Sequence, residues 1–224
     1  GMEIDKGMNY FVWDMYYADV EKIEGMILWS GIGQGPKAAP GNYYVQVRAD
    51  KDSVEKEFEI KANPVYNISQ QDYDEQLNFL LTVSGLYNEV QKSIIKIRDL
   101  RKQIGDFTGK QGKDCPKEIK TQSDSITKQL TRVEEALYQT KLKSGQDVLN
   151  FPMKLNNKIA NLYDYASSGN NAPTKQVKDA FNELSILANE QLNILKKIIE
   201  TDVSKLNEMI TAKALPVIVL KKEQ

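Results

Sequence analysis

Hydrophobic and polar positions alternate through the first sixty residues and then change period. In YFVWDMYY, residues 10–17, Phe11, Trp13, Met15 and Tyr17 fall on one side and Tyr10, Val12, Asp14 and Tyr16 on the other, the period of a strand. GMILWSG, residues 25–31, is a short apolar run compatible with a second strand. GQGPKAAPGN follows as a Gly/Pro-punctuated loop closing in a Pro40-Gly41 turn. YYVQVRADKDSVEKEFEIK then predicts a hairpin turning around Asp50-Lys51-Asp52. Tyr43, Val45 and Val47 share one side; Val54, Phe58 and Ile60 share a side on the return, with Glu55, Glu57 and Glu59 opposite as a solvated face. Asn63 precedes Pro64 and is biased to extended backbone, which sets a boundary there.

After Ser69 the spacing is helical. Ser69 is a predicted N-cap, with Asp72 supplying an acid in the first turn. Tyr73, Leu80, Val83, Tyr87, Val90, Ile94, Ile97 and Ile104 recur at alternating three- and four-residue steps, with Gln76 and Arg101 at two of the positions. This predicts a first helix to Gly105, stopped by GDFTGKQGKDCP. Ile119, Ile126, Leu130, Val133 and Leu137 mark a second helix, and Leu155, Ile159, Leu162 and Ala166 a shorter third. A fourth, with Pro173 near its first turn, carries Val177, Phe181, Leu184, Ala188, Leu192, Leu195, Ile199, Val203, Leu206 and Ile210. Such stripes can be buried in an up-down-up-down bundle or in a coiled coil between chains; the short third helix and ordinary loops favour the closed bundle. ALPVIVL, residues 214–220, is too short to span a membrane and is expected to pack or form a last strand. The predicted architecture is therefore α+β in two domains, a β-region over 1–64 and an antiparallel four-helix bundle over 65–224.

Composition narrows the chemistry. The 224 residues carry 30 basic and 31 acidic side chains, a net charge of −1. That balance argues for neither nucleic acid nor an anionic membrane surface as partner. Histidine is absent, which removes the commonest general base and metal ligand. The single cysteine, Cys115, can form no internal disulfide and reads as an incidental thiol. Gly31, Gly33 and Gly35 lack the spacing of a phosphate cradle. The carboxylate pairs Glu134-Glu135, Glu200-Asp202 and Asp72-Asp74 read as solvated helix surface. Asp14 reads as an outward or turn-bonded residue at a strand end. No catalytic residue, metal ligand or cofactor is predicted. Trp13, Trp29, Tyr16, Tyr17, Tyr43 and Tyr44 crowd the first half; such rings serve packing or stack on sugars. Trp29, beside the glycine loop, and Tyr44 are the candidate ligand contacts.

NYFVWDMYY followed by GPKAAPGNYYVQVRADKDSVEKEFEIKANP resembles the closing strands of an Ig-like or fibronectin type III-like module. That module follows the β-propeller of bacterial exported proteins of the BNR/Asp-box, sortilin-type glycosyl hydrolase kind. Phe11-Val12-Trp13-Asp14, Gly35-Pro36, Pro40-Gly41-Asn42-Tyr43 and Asn63-Pro64 carry the likeness. IRDLRKQI, FPMKLNNKIANLYDYASSGNNAPTKQ and ETDVSKLNEMI resemble the helical tail of the same proteins. The resemblance implies a partial sandwich whose first strands, and a propeller before them, lie upstream. Gly1-Met2 resembles a tag-cleavage scar, in line with that expectation. It also implies a periplasmic or extracellular location. The Asp-box repeat, roughly Ser-x-Asp-x-Gly-x-x-Trp, occurs nowhere here, so no catalytic residue carries over.

Three functions compete. The first is a non-catalytic accessory region docked on its propeller, with the helices bracing, spacing or dimerising. The second is a self-standing binding module for glycan or protein, using the aromatic sheet face. The third is an enzyme in its own right. The aromatic first strand, as an unprotected edge, is also expected to pair with a second copy.

Overall fold

Ser69 caps the first helix as its side chain predicts, its Oγ accepting from the Asp72 N–H at 3.1 Å. The structure, a computed structural model describing residues 6–213, is α+β: two antiparallel strands and four helices. β1 (Gly41–Ala49) and β2 (Asp52–Ile60) pair in register, with Tyr43 opposite Phe58, Val45 opposite Lys56 and Val47 opposite Val54. Asp50, at the turn, takes φ 50°, a region that Asp tolerates better than most residues. α1 (Gln70–Gln111), α2 (Lys117–Leu137) and α3 (Leu155–Ser167) follow. α4 (Lys175–Lys197), a π-helical turn (Ile198–Val203) and α5 (Ser204–Ala212) continue one another as a single rod.

α1 is longer than predicted. It passes Gly105 and Gly109 and stops at Gly112, which takes φ 53°. Phe107 explains the extra turns: it is buried on the same stripe, and that burial outweighs the weak helix preference of two glycines. The π turn has a comparable cause. Ile198 and Val203 are both buried, and they stand five residues apart. A turn closed by i→i+5 bonds brings that spacing back to one face, where an α-turn would rotate one of them out.

The helices run up, down, down, up, which differs from the expected up-down-up-down. Arg98 and Arg101 of α1 meet Glu134 of α2, while Gln91 and Gln76 of α1 meet Asn156 and the Ala166 carbonyl of α3. α2 therefore descends along the upper half of α1, and α3 continues the descent along the lower half. Glu75 with Lys178, and Phe79 with Phe181 (ring centroids 5.4 Å apart), set α4 parallel to α1. Gln129 with Asp202 and Glu118 with Lys213 set α5 antiparallel to α2. Four helices thus occupy three columns, and the middle column is broken between Leu137 and Leu155.

The first 64 residues divide differently from the prediction. Residues 10–17 form no strand. Tyr10, Phe11 and Val12 are exposed. Only the end of the segment pairs, where the Tyr17 N–H reaches the Pro36 carbonyl and the Ala38 N–H the Met15 carbonyl, each at 2.8 Å. GMILWSG is not a strand either. It belongs to a strap, residues 19–34, laid over the helices. Val20 and Ile32 are buried in the helical core, with Ile23, Met26 and Leu28 packed against it. The hydrophobic core thus crosses the predicted boundary at residue 64.

Amide side chains hold the strap down. The Glu21 N–H donates to Asn88 Oδ1 at 2.6 Å, and the Trp29 N–H to Asn157 Oδ1 at 2.8 Å. Asn157 Nδ2 donates in turn to the Ser30 carbonyl at 2.9 Å, and the Ile27 N–H to the Tyr138 hydroxyl at 3.3 Å. Met26 Sδ sits between the amides of Gln91 and Asn156. Residues 26–30 therefore cross the gap in the middle column, touching the residue after α2 and the first turn of α3. Irregular backbone cannot satisfy its own polar groups, so burial requires partners of this kind. The expected last strand at 214–220 lies outside the described residues.

Candidate functional site

A cleft of about 520 Å³ opens where four parts of the chain converge. The corner Met15–Tyr16 and the loop Gly33–Pro40 form one wall, and the end of β2 with its exit turn (Ile60–Asn63 and Tyr66) a second. The first turns of α1, through Tyr73, Gln76 and Leu80, make the floor. The end of α3 and its following loop, from Tyr163 to Asn170, close the far side.

Each wall is fixed by local chemistry. Gly35 lies where a Cβ would come within 2.2 Å of the Tyr17 carbonyl oxygen and 2.5 Å of that of Ala18, so only glycine lets the two passes of backbone approach. The Gly35 N–H donates to Asp19 Oδ1 at 3.1 Å, and Lys22 Nζ reaches Asp19 Oδ2 at 2.8 Å. The Lys22 ammonium, then the Gly35 N–H, hold the Asp19 carboxyl below its ordinary 3.8. Met15 takes φ 65°, turning the chain just after Asp14. Asp14 Oδ1 accepts the Tyr16 N–H at 3.0 Å, the turn-bonded role predicted for it, and Asp14 Oδ2 accepts from Gln34 at 3.2 Å.

Gln76, buried in the floor, donates both its N–H groups to the end of α3, to the Ala166 carbonyl at 2.7 Å and the Gly169 carbonyl at 2.6 Å. The Tyr163 hydroxyl donates to the Gln34 carbonyl at 3.0 Å. Burial pushes that hydroxyl up to about 12 from 10.0, with Tyr16, Asp164 and Asp19 adding to the rise. The Asp164 carboxylate accepts the Ser30 hydroxyl. The walls thus expose phenols and amides more than charge, with Lys37, Lys61 and Asp164 as the ionic groups of the lining.

Neither predicted contact residue lines this cleft. Trp29 is 57% exposed on the strap, its N–H bonded to Asn157, while Tyr44 is 63% exposed on the hairpin face opposite Glu57. The structure places the two on separate elements and brings them into no common cavity. The other aromatics divide. Trp13 packs on Tyr43 (centroids 5.7 Å apart) and Phe58 (6.1 Å), its indole N–H bonded to the Tyr16 carbonyl at 2.9 Å. This corner ties the hairpin base to the segment before it. Tyr16 lines the cleft instead.

Glu134 departs from its prediction as solvated surface. It is 2% exposed and carries Arg98 at 2.7 Å on one oxygen and Arg101 on the other. Arg98 also lies over the Tyr138 ring, 5.5 Å from its centroid. The signal lay in Arg98 and Arg101, one turn apart on α1, which can clasp a carboxylate facing them. Asp72 closes the Ser69 cap, and Asp202 accepts from Gln129 at 3.1 Å. Cys115 is half-buried beside Pro116 against the core. Among the described residues, no three acidic or cysteine side chains gather as a metal site, and no helix is long and apolar enough to cross a membrane.

No protein-family model, curated protein or solved structure matches the chain.

Proposed function

We propose that this chain is a non-catalytic accessory region of a larger exported protein. The hairpin docks on the remaining strands of an Ig/fibronectin III-like sandwich, and the helices brace and space that assembly. The supporting observation is the hairpin itself. Val45, Val47 and Val54 are exposed on one face, and no further strand borders β1 or β2 among the described residues. A two-stranded sheet is marginal alone in water, and unpaired edges recruit further strands. The sequence resemblance supplies the β-propeller as the partner and the periplasm or cell exterior as the place.

The test is the coding sequence upstream of residue 8. Asp-box repeats followed by sandwich strands are expected; a native start at Met2 or Met8 would sink the reading. A protein carrying those strands should also slow amide exchange along the outer edges of β1 and β2. Tyr10, Phe11 and Val12, exposed and unpaired, remain open to pairing between copies, and sedimentation at high concentration is expected to show dimers. The second reading, a self-standing glycan- or protein-binding module, draws on the exposure of Trp29 and Tyr44, and a glycan array with Trp29→Ala tests it.

A further inference from the structure

We infer that the cleft at the hairpin base is a binding site for one or two units of a neutral saccharide. Its volume, about 520 Å³, falls inside the roughly 300–1,000 Å³ usual for small-ligand sites. Its chemistry selects among ligands. A phosphate is commonly cradled by a glycine loop opening onto a helix N-terminus, and the loop Gly33–Pro40 instead leads into a strand. An apolar ligand would leave amides and phenols unpaired, which is costly. A sugar ring offers both what the walls require, hydroxyls for the polar groups and a C–H face for a ring.

The walls are ready for it. Gln76 has both N–H groups engaged on α3, which fixes a buried side chain whose Oε1 can accept. Tyr73 and Asn170 line the same space and carry a hydroxyl and an amide that can donate. Tyr66, 53% exposed, brings an aromatic ring to the lining. Of the ionic groups, Asp164 is engaged by Ser30, Lys61 lies 3.8 Å from Glu59, and Lys37 is exposed to solvent. The site rests on wall contacts within this chain and is independent of whether the hairpin docks elsewhere.

Titrating the labelled chain with neutral mono- and disaccharides, and in parallel with a uronic acid of the same size, tests the assignment by amide chemical shifts. Saturable shifts at Gln34, Tyr66 and Asn170 with neutral sugars are expected at low-millimolar concentration. Tyr66→Ala should weaken binding about two- to tenfold, with Trp29→Ala unchanged. Asn170→Ala, at a half-buried position in the loop after α3, provides the same reading should Tyr66→Ala fail to fold. Silence up to ~10 mM, shifts centred on Trp29 or Tyr44, or a response to the uronic acid alone would overturn it.

Discussion

Two neighbouring stretches of the chain, residues 8–14 and the strap 19–34, both carry apolar side chains, the first more densely, and they meet opposite fates. The first leaves Tyr10, Phe11 and Val12 in water and is anchored at its end, through Trp13 and Asp14. The second buries Val20 and Ile32 among the helices. The difference lies less in hydrophobicity than in backbone partners. Asn88, Asn157 and Tyr138 accept N–H groups of the strap, and Asn157 returns a hydrogen bond to Ser30. Apolar side chains favour burial, but an irregular backbone is buried only where its polar groups are met.

Alkali should break the contrast most completely. Burial pushes the Tyr87 and Tyr163 hydroxyls up to about 12 from 10.0, so the folded chain prefers both phenols protonated. Their contribution is complete below pH 10 and is lost as the pH rises toward 12. Unfolding is expected in that window, with the last tyrosinate absorbance appearing together with loss of helical circular dichroism. Tyrosinate formation complete before any helix is lost would refute this. Asn157→Ala comes next. It strands the Trp29 N–H and the Ser30 carbonyl, at about 1–3 kcal/mol for each group left unpaired. Urea unfolding should lose stability in that range, and amide exchange at Trp29 should quicken.

Gly35→Ala should cost about 1–3 kcal/mol, since the added Cβ displaces the Tyr17 and Ala18 carbonyls. Its local sign would be loss of protection at Tyr17 and Ala38, whose N–H bonds span this corner. Trp13→Ala removes two ring contacts, about 0.5–1.5 kcal/mol each. That loss should fall on the hairpin, with exchange in α1 unchanged. Val47→Thr, on the exposed hairpin face, should stay within about 0.5 kcal/mol of the parent. A large loss there would mean the face is covered in solution.

The helices were legible because a stripe such as Leu80, Val83, Tyr87, Val90 and Ile94 repeats one physical fact many times. The hairpin was legible for the same reason, in the shorter period. The strap was not. GMILWSG reads equally as a strand or as buried coil, and what decides it is a pair of asparagines near residue 156 that follow no period. YFVWDMYY shows the converse: its alternation is real, yet no strand among the described residues borders it. The cleft was beyond reach, since its lining runs from Met15 to Asn170 and sequence distance carries no sign of it. Glu134 was hidden by its neighbours, because one buried carboxylate among many exposed ones leaves no mark on composition.

The break in the middle column has a mechanical consequence. α1 is a rod of 42 residues, about 63 Å long, and the strap grips the assembly near the rod's midpoint, where Met26 meets Gln91 and Asn156. Tension applied through the N-terminal segment is therefore delivered to the centre of a beam and not to its end. The load falls across the joint between α2 and α3, with Asn157 and Tyr138 as the rivets on either side. Pulled from that direction, the molecule should yield first at its waist, while both ends of the long helix remain wound.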